Sequence, residues 1–376
     1  MNELNIGDLN VKVPIIQGGM GVAISLSGLA SAVANEGGIG VISAVGIGMK
    51  EPNYMRNVKK SNQIGLKKEI RKAKELSDGV IGVNIMLAIS DYEELFITSV
   101  DEGIDIVFLG AGLPLKLPDS INPKFLKTTK TKIAPKLSSS RAVALILKYW
   151  DEKYKVLPDA FVIEGPKAGG HLGFRKTELI DMNISLSDII EETVEIIRPY
   201  ERKYGVEIPT IAAGGIYNGK DIYEIMQKGA KAVKMGTRFV TTYECDASIE
   251  FKESYINCSK SDVVIIDSPV GLPGRAIRNE FIDDVNSGLK KPFKCYWKCL
   301  KSCDYKNVPY CIAKALLNAA DGNMNDGFAF AGSNAYRATK MQTVKEIMDE
   351  LKNEYLLTEY AAKFIPNLKF AELVER

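Results

Sequence analysis

The sequence predicts a TIM (β/α)8 barrel with an appended C-terminal helical lid region, on three observations. Short apolar runs rich in Val, Ile, Ala and Phe recur over the first 240 residues, without polar alternation. Strands buried on both faces of a parallel sheet read this way. Longer charged, helix-like segments separate the runs. Glycines cluster at the C-terminal ends of many runs, where a barrel brings its strand ends together on one face. An open doubly wound sheet would instead carry G-x-G-x-x-G after its first strand, and this chain does not.

Taken in order, the strand runs are "VPIIQGG" (13–19), "IGVISA" (39–44), "VIGVNIM" (80–86), "DIVFLGAG" (105–112) and "KIAPKLSS" (132–139). "AFVIEG" (160–165), "PTIAAGG" (209–215) and "AVKMGTRFV" (232–240) complete the set. Helices are expected at 27–36, 64–77, 91–103, 140–153, 185–203 and 219–229, several ending on a glycine just past the last turn. Beyond about residue 240 the pattern changes. "ECDASIEFKESYINC" reads as a helix, and "DVVIIDSPVGLPGRAIRNEF" as a strand with a Pro/Gly-rich turn. A cysteine-rich segment follows, then an amphipathic helix from about Thr339 to Glu354. The expected division is a barrel at 1–245 and a lid or extension at 246–376.

Composition narrows the function. Forty-nine Lys and Arg against 47 Asp and Glu leave a net charge of +2, no electrostatic footprint for nucleic acid. No stretch approaches the roughly 18 apolar residues of a membrane span. The N-terminal "MNELNIGDLNVKVPIIQ" lacks the basic and apolar regions of a signal peptide, so a cytoplasmic location is expected.

The chain has a single histidine, His171, set in "EGPKAGGHLGF" (164–174). Flanking glycines allow close backbone approach, and imidazole is the side chain best suited to proton transfer near neutrality. The loops after the seventh and eighth strands, "IAAGGIYNGKDI" and "KAVKMGTRF", read as a phosphate site at Gly214, Gly215, Gly236 and Thr237. The "GGM" turn at Gly18, Gly19 and Met20 can lie against a flat aromatic ring. Asn84 and Lys136 are polar groups at the ends of apolar strands. A buried lysine needs an anionic partner, which a reduced flavin would supply. Glu164 ends the sixth strand. A non-redox phosphate-binding barrel, an isomerase or aldolase using Lys136 as Schiff-base lysine, stays open from the residues alone.

"PIIQGGMG", "GVNIM", "IEGPKAGGHLG", "AAGGI" and "KMGTRF", in this order, resemble the nitronate monooxygenase family, related to the flavin-dependent type II enoyl-acyl-carrier-protein reductases. The resemblance covers about residues 10 to 280, including "SPVGLPGRAIRNEF". It implies FMN held at Gly18, Gly19, Met20, Asn84, Lys136, Glu164, Gly169, Gly170, Ala213, Gly214, Gly215, Gly236 and Thr237, with His171 catalytic. In that scheme Asn84 and Lys136 face the isoalloxazine, Glu164 the ribityl chain and His171 the substrate. His171 acts with the ordinary imidazole pKa, as a base or as a hydrogen-bonding group. The implied reaction is oxidation of alkyl nitronates with O2 to carbonyl compounds and nitrite. NAD(P)H-dependent enoyl-thioester reduction and quinone reduction are the alternatives, which leaves NAD(P)H open as a partner and a homodimer open as the assembly.

Two departures stand out: an insertion at 114–131 and the run "KCYWKCLKSCDYKNVPYC". Cys295, Cys299, Cys303 and Cys311 match neither a zinc knuckle nor a common ferredoxin spacing. They read as small buried apolar thiols and no metal is assigned, with a zinc or iron–sulfur centre and a redox switch left open.

Overall fold

The computed structural model describes residues 1–181, 183–289, 293–295, 298–301 and 303–364. The chain begins with an antiparallel hairpin, β1 (Leu4–Ile6) and β2 (Leu9–Val11). The predicted apolar runs follow as β3 (Ile15–Gln17), β4 (Gly40–Ser43), β5 (Ile81–Met86), β6 (Ile106–Gly110), β7 (Lys132–Leu137) and β8 (Phe161–Glu164). A two-residue strand, β9 (Gly170–His171), interrupts the next loop, before β10 (Thr210–Ala213) and β11 (Ala232–Met235). All but β1, β2 and β9 form one parallel sheet in the order β3-β11-β10-β8-β7-β6-β5-β4. Its ends meet where Gln17 N–H donates to the Ile39 carbonyl (2.9 Å) and Ile39 N–H to that of Ile15 (3.0 Å). The sheet is thus a nearly closed TIM barrel.

The helices that wrap it fall where the periodicity places them: α1 (Ser27–Asn35), α2 (Val58–Leu76), α3 (Tyr92–Asp101), α5 (Ser140–Lys153), α7 (Leu186–Tyr204) and α8 (Gly219–Gln227). Short α4 (Pro123–Thr128), α6 (Lys176–Asp181) and α9 (Thr237–Val240) lie in the connecting loops. Caps set the boundaries. Helix α2 starts ahead of its expected residue 64 because the Asn57 side chain accepts the Lys60 N–H at 3.1 Å. Helix α8 opens on a capping box in which Asn218 and Asp221 satisfy each other's backbone N–H groups.

Inside the barrel, Ile16, Val41, Phe108, Ala134, Val162 and Ile211 pack in one cluster with Leu4, Ile6 and Val11. The N-terminal hairpin therefore plugs one end of the barrel, a role that its three-residue strands do not advertise in sequence. A larger cluster joins the outer face of the sheet to the helices.

After α9 the chain forms α10 (Ile249–Ile256), the hairpin β12 (Val263–Asp267) and β13 (Pro273–Ile277), α11 (Glu280–Asn286), α12 (Ile312–Ala320) and α13 (Val344–Phe364). The expected single strand at 262–281 is thus two, because "SPVGLPG" reverses the chain. The hairpin, α11 and α12 share a core of their own around Phe281, Tyr310 and Phe328. Helix α13 runs past the expected Glu354. It returns to the barrel wall, where Glu354 accepts the Gly219 N–H at 2.7 Å and the rings of Tyr355 and Tyr223 meet at 5.6 Å. Among the described residues no helix is long and apolar enough to cross a membrane.

Candidate active site

The residues assigned to the flavin and to catalysis sit at, or in the loops after, the C-terminal ends of barrel strands, except Asn84, which lies two residues before the end of β5. The turn after β3 is built by Gln17, whose amide donates to the Gly18 carbonyl and accepts the Val41 N–H at 2.8 Å. Gly18 N–H donates to the Met235 carbonyl at 2.8 Å, tying the first strand's loop to the last strand's end. A Cβ on Gly18 would stand 3.0 Å from the Gly236 Cα, and one on Gly19 would collide with Asn84. Gly18, Gly19, Met20, Asn84 and Gly236 therefore form one continuous surface with no room for further side chains.

Beside it lies a charged layer. Lys136 Nζ donates to Glu164 Oε1 at 2.7 Å, so the anion that Lys136 needs is supplied by the chain itself. Glu164 lies in register with Ala213, and Ala213 with Lys234. Sequence reasoning missed Lys234, although the signal that exposed Lys136, a lysine inside an apolar strand, is present in "AVKM". Its side chain is 6% exposed, its ammonium lies 3.4 Å from the Phe108 ring centroid, and it has no hydrogen-bond partner.

His171 is placed by the C-terminal extension. Strand β13 pairs with β9, setting Gly274 opposite His171 and Arg275 opposite Gly170. Arg275 is buried and donates to the carbonyls of Pro166 (2.8 Å) and Ala168, which fixes the base of the loop. His171 Nε2 and Ser268 Oγ are 2.7 Å apart, and the Phe330 ring meets the imidazole edge-on at 4.9 Å. Burial, and then the positive charge of Lys136, push the imidazole pKa down to about 4. The expectation of an ordinary histidine is thereby corrected: the ring is neutral at physiological pH.

The loops after β10 and β11 meet the segment 327–337. Gly214 and Gly215 adopt left-handed φ values of +94° and +87°, as the βα turn requires. Asn334 donates to the Gly215 carbonyl at 2.8 Å, and Gly332 N–H to Thr237 Oγ1 at 2.9 Å. Thr237 thus accepts a bond from the protein and keeps its own hydroxyl proton to donate. A Cβ on Gly169 would lie 2.5 Å from the Gly332 nitrogen. The buried Ser333 hydroxyl has no partner. Ser268, Phe330 and Ser333 were not legible as site residues, since their contacts arise only when the extension folds over the barrel.

The insertion at 114–131 lies against α5, where the Trp150 indole donates to the Pro114 carbonyl (2.8 Å) and Tyr154 accepts the Leu117 N–H (3.0 Å). Cys295, Cys299, Cys303 and Cys311 are half-buried free thiols. Burial, and next the nearby Cys311, push the Cys299 thiol up to about 12. Among the described residues no three His, Cys, Asp or Glu side chains are arranged to hold a metal.

Comparison with known proteins agrees with the fold. The nitronate monooxygenase family model matches residues 2–354. A probable nitronate monooxygenase of Staphylococcus saprophyticus is 26% identical, covering 74% of this chain and 79% of its own. A (3aS,4S,5R,7aS)-5-hydroxy-7a-methyl-1-oxo-octahydro-1H-indene-4-carboxyl-CoA dehydrogenase of Mycobacterium tuberculosis is 25% identical, covering 75% of this chain and 68% of its own. Among solved structures, FabK from Thermotoga maritima superposes with a TM-score of 0.71 at 25% identity, covering 94% of this chain and 96% of its own. Nitroalkane oxidase from Streptomyces ansochromogenes shares the fold, with a TM-score of 0.70 at 19% identity over 94% and 98% of the two chains. The chain belongs to the nitronate monooxygenase family and is a flavin-dependent oxidoreductase.

Proposed function

We propose that the flavin is FMN and that the chain oxidises alkyl nitronates with O2 to carbonyl compounds and nitrite. The residues fit the cofactor. The glycine-backed surface at Gly18, Gly19 and Gly236 suits a flat ring. The left-handed Gly214–Gly215 turn, the free Thr237 proton and the unpartnered Ser333 hydroxyl suit a phosphate. FMN, when bound, supplies the electron acceptor. Ala213, Gly169 and Gly170 line the same loops, and Asn84, Lys136 and Glu164 supply polar groups at its edge.

The observation that carries the substrate reading is the enclosure of His171, whose Nε2 lies 2.7 Å from Ser268 Oγ and whose ring meets Phe330 edge-on at 4.9 Å, with burial holding the imidazole pKa down near 4. A base that weak is poorly matched to removing a carbon-bound proton near neutrality. A nitronate needs no such step, because it is already an anion. It needs a hydrogen-bond donor at its oxygens and a cation nearby, the roles that His171 and Lys136 would fill. In the tautomer protonated at Nδ1, the Ser268 hydroxyl donates to Nε2 and the Nδ1 proton is left for the substrate.

The Schiff-base alternative for Lys136 is set aside. Its amine is engaged by Glu164, and the family is one of oxidoreductases. Enoyl-thioester reduction with NAD(P)H is the second reading, favoured by the superposition on FabK along 94% of this chain. Anaerobic mixing separates the two: nitronate bleaches the flavin bands of a nitronate monooxygenase, whereas NADH bleaches those of a reductase. A colourless protein that gains no FMN on reconstitution would overturn the proposal.

A further inference from the structure

Lys234 has no task in the function just proposed. Its ammonium is enclosed, unpartnered, and faces only the Phe108 ring at 3.4 Å. Burying an ammonium without a counter-ion is expensive, and one aromatic face offsets only part of that cost. The neighbouring strands give it no anion of its own. Beta-strand β3 presents Ile16 in register with it, β10 presents Ala213, and β6 presents Phe108. The charged groups it feels are Lys136 on β7 and Glu164 on β8, and Glu164 is already bonded to Lys136 at 2.7 Å.

The charge count follows. With both lysines protonated, two cations share one carboxylate, and Lys234 has no hydrogen-bond partner of its own to offset the excess. With Lys234 neutral, the Lys136–Glu164 pair balances itself. Burial, with Lys136 adding to it and Glu164 opposing, drives the Lys234 amine well below the ordinary lysine range. The barrel floor is one negative charge short of accommodating a protonated Lys234. The residues in register with Lys234 and Glu164 end at the same strand tips that form the candidate flavin surface.

We propose that Lys234 is a proton acceptor coupled to the charge of the cofactor: its enclosed, unpartnered amine binds one solvent proton when the flavin is reduced and releases it on reoxidation. This rests on the flavin assignment. In the step, one N–H bond forms on Lys234 Nζ, using a proton from water. The two electrons come from the reducing substrate and remain on the flavin, and no bond within the protein breaks. The half-buried Lys136–Glu164 pair is the polar route by which the proton reaches the interior. Lys234 is a positioning residue for charge, not a group that touches substrate.

The experiment uses the flavin-loaded protein, with K234Q and K234M beside the wild type. Proton uptake is measured with a pH indicator during anaerobic reduction by a limiting amount of dithionite, and the midpoint potential is titrated against pH. The wild type should take up one more proton per two electrons than either variant. Its potential should also fall more steeply, by a further factor of ten in the reduction equilibrium per pH unit, which is about 30 mV for a two-electron couple. Equal proton counts and parallel slopes in variants that still bind flavin would overturn the assignment of Lys234 while leaving the flavin reading intact. Failure of the wild type to bind any flavin would remove both. The two variants guard against a folding artefact. Removing an unpaired buried amine should not lower Tm in the flavin-free protein, and a fall of several degrees in both would show that Lys234 is structural and sink the proposal.

Discussion

At the scale of single residues, the proposed site is built from groups whose properties are altered by burial. His171 is the clearest case. Replacing it with Asn or Ala should leave flavin binding intact and reduce turnover about 10²–10³-fold, the usual effect of losing one oriented donor to a developing or substrate anion. Unchanged turnover in steady-state assays would contradict its role. Its folded pKa of about 4 lies below the unfolded value of 6.5. The unfolded chain therefore binds the extra proton as pH falls between these values, and stability declines over that window. Rate profiles should accordingly show no His171 limb near pH 6.5, only one near 4. A H171N variant should lose that part of the acid sensitivity of Tm. The existence of this histidine in a glycine cluster was legible in the sequence. Its neutrality was not, because that depends on Ser268, Phe330 and Lys136 closing around it from other parts of the chain. Removing the charge of the Lys136–Glu164 pair with E164Q, which leaves a neutral acceptor, should cost about 1–3 kcal/mol, the range for a largely buried cation losing its charged acceptor. Urea unfolding measures it.

At the scale of elements, the strand positions and most helix positions followed from periodicity, since strands buried on both faces leave unbroken Val/Ile runs and amphipathic helices leave spaced ones. What escaped was whatever depends on distant partners. The β1–β2 plug is too short to carry a signal, and β9 becomes a strand only because β13 pairs with it. The segment "GFAFAGSNAYR" showed small and aromatic residues but no indication that Gly332 and Asn334 would bond to Thr237 and Gly215. A G332A substitution tests that contact, since its Cβ would lie 2.6 Å from Thr237 Oγ1. The expected outcome is a weaker FMN affinity, by roughly tenfold for the loss of about one net hydrogen bond, with the far-UV spectrum unchanged. An unaltered FMN Kd would show that the segment merely packs.

At the scale of the whole molecule, the extension beyond residue 245 serves two different ends. Its hairpin reaches over the barrel mouth and holds His171, while α13 covers the wall beside α1 and α8. We propose the division into a barrel at 1–245 and a lid or extension at 246–376 that packs on it, with α13 sharing the core of the barrel. Leu351 is 1% exposed in that core. L351A should destabilise the protein by about 2–5 kcal/mol and shift the whole transition, whereas an extension folding independently would give two transitions in calorimetry. Barrel and candidate site were legible together because one physical pattern, apolar strands ending in glycine, points to both.

The central claim, a flavin enzyme whose neutral histidine receives an anionic substrate, is tested most directly by anaerobic absorbance spectroscopy of the flavin-loaded protein mixed with an alkyl nitronate and, separately, with NADH. The account predicts bleaching by the nitronate, slowed by orders of magnitude in H171N, and none by NADH. Bleaching by NADH with the nitronate inert would contradict it.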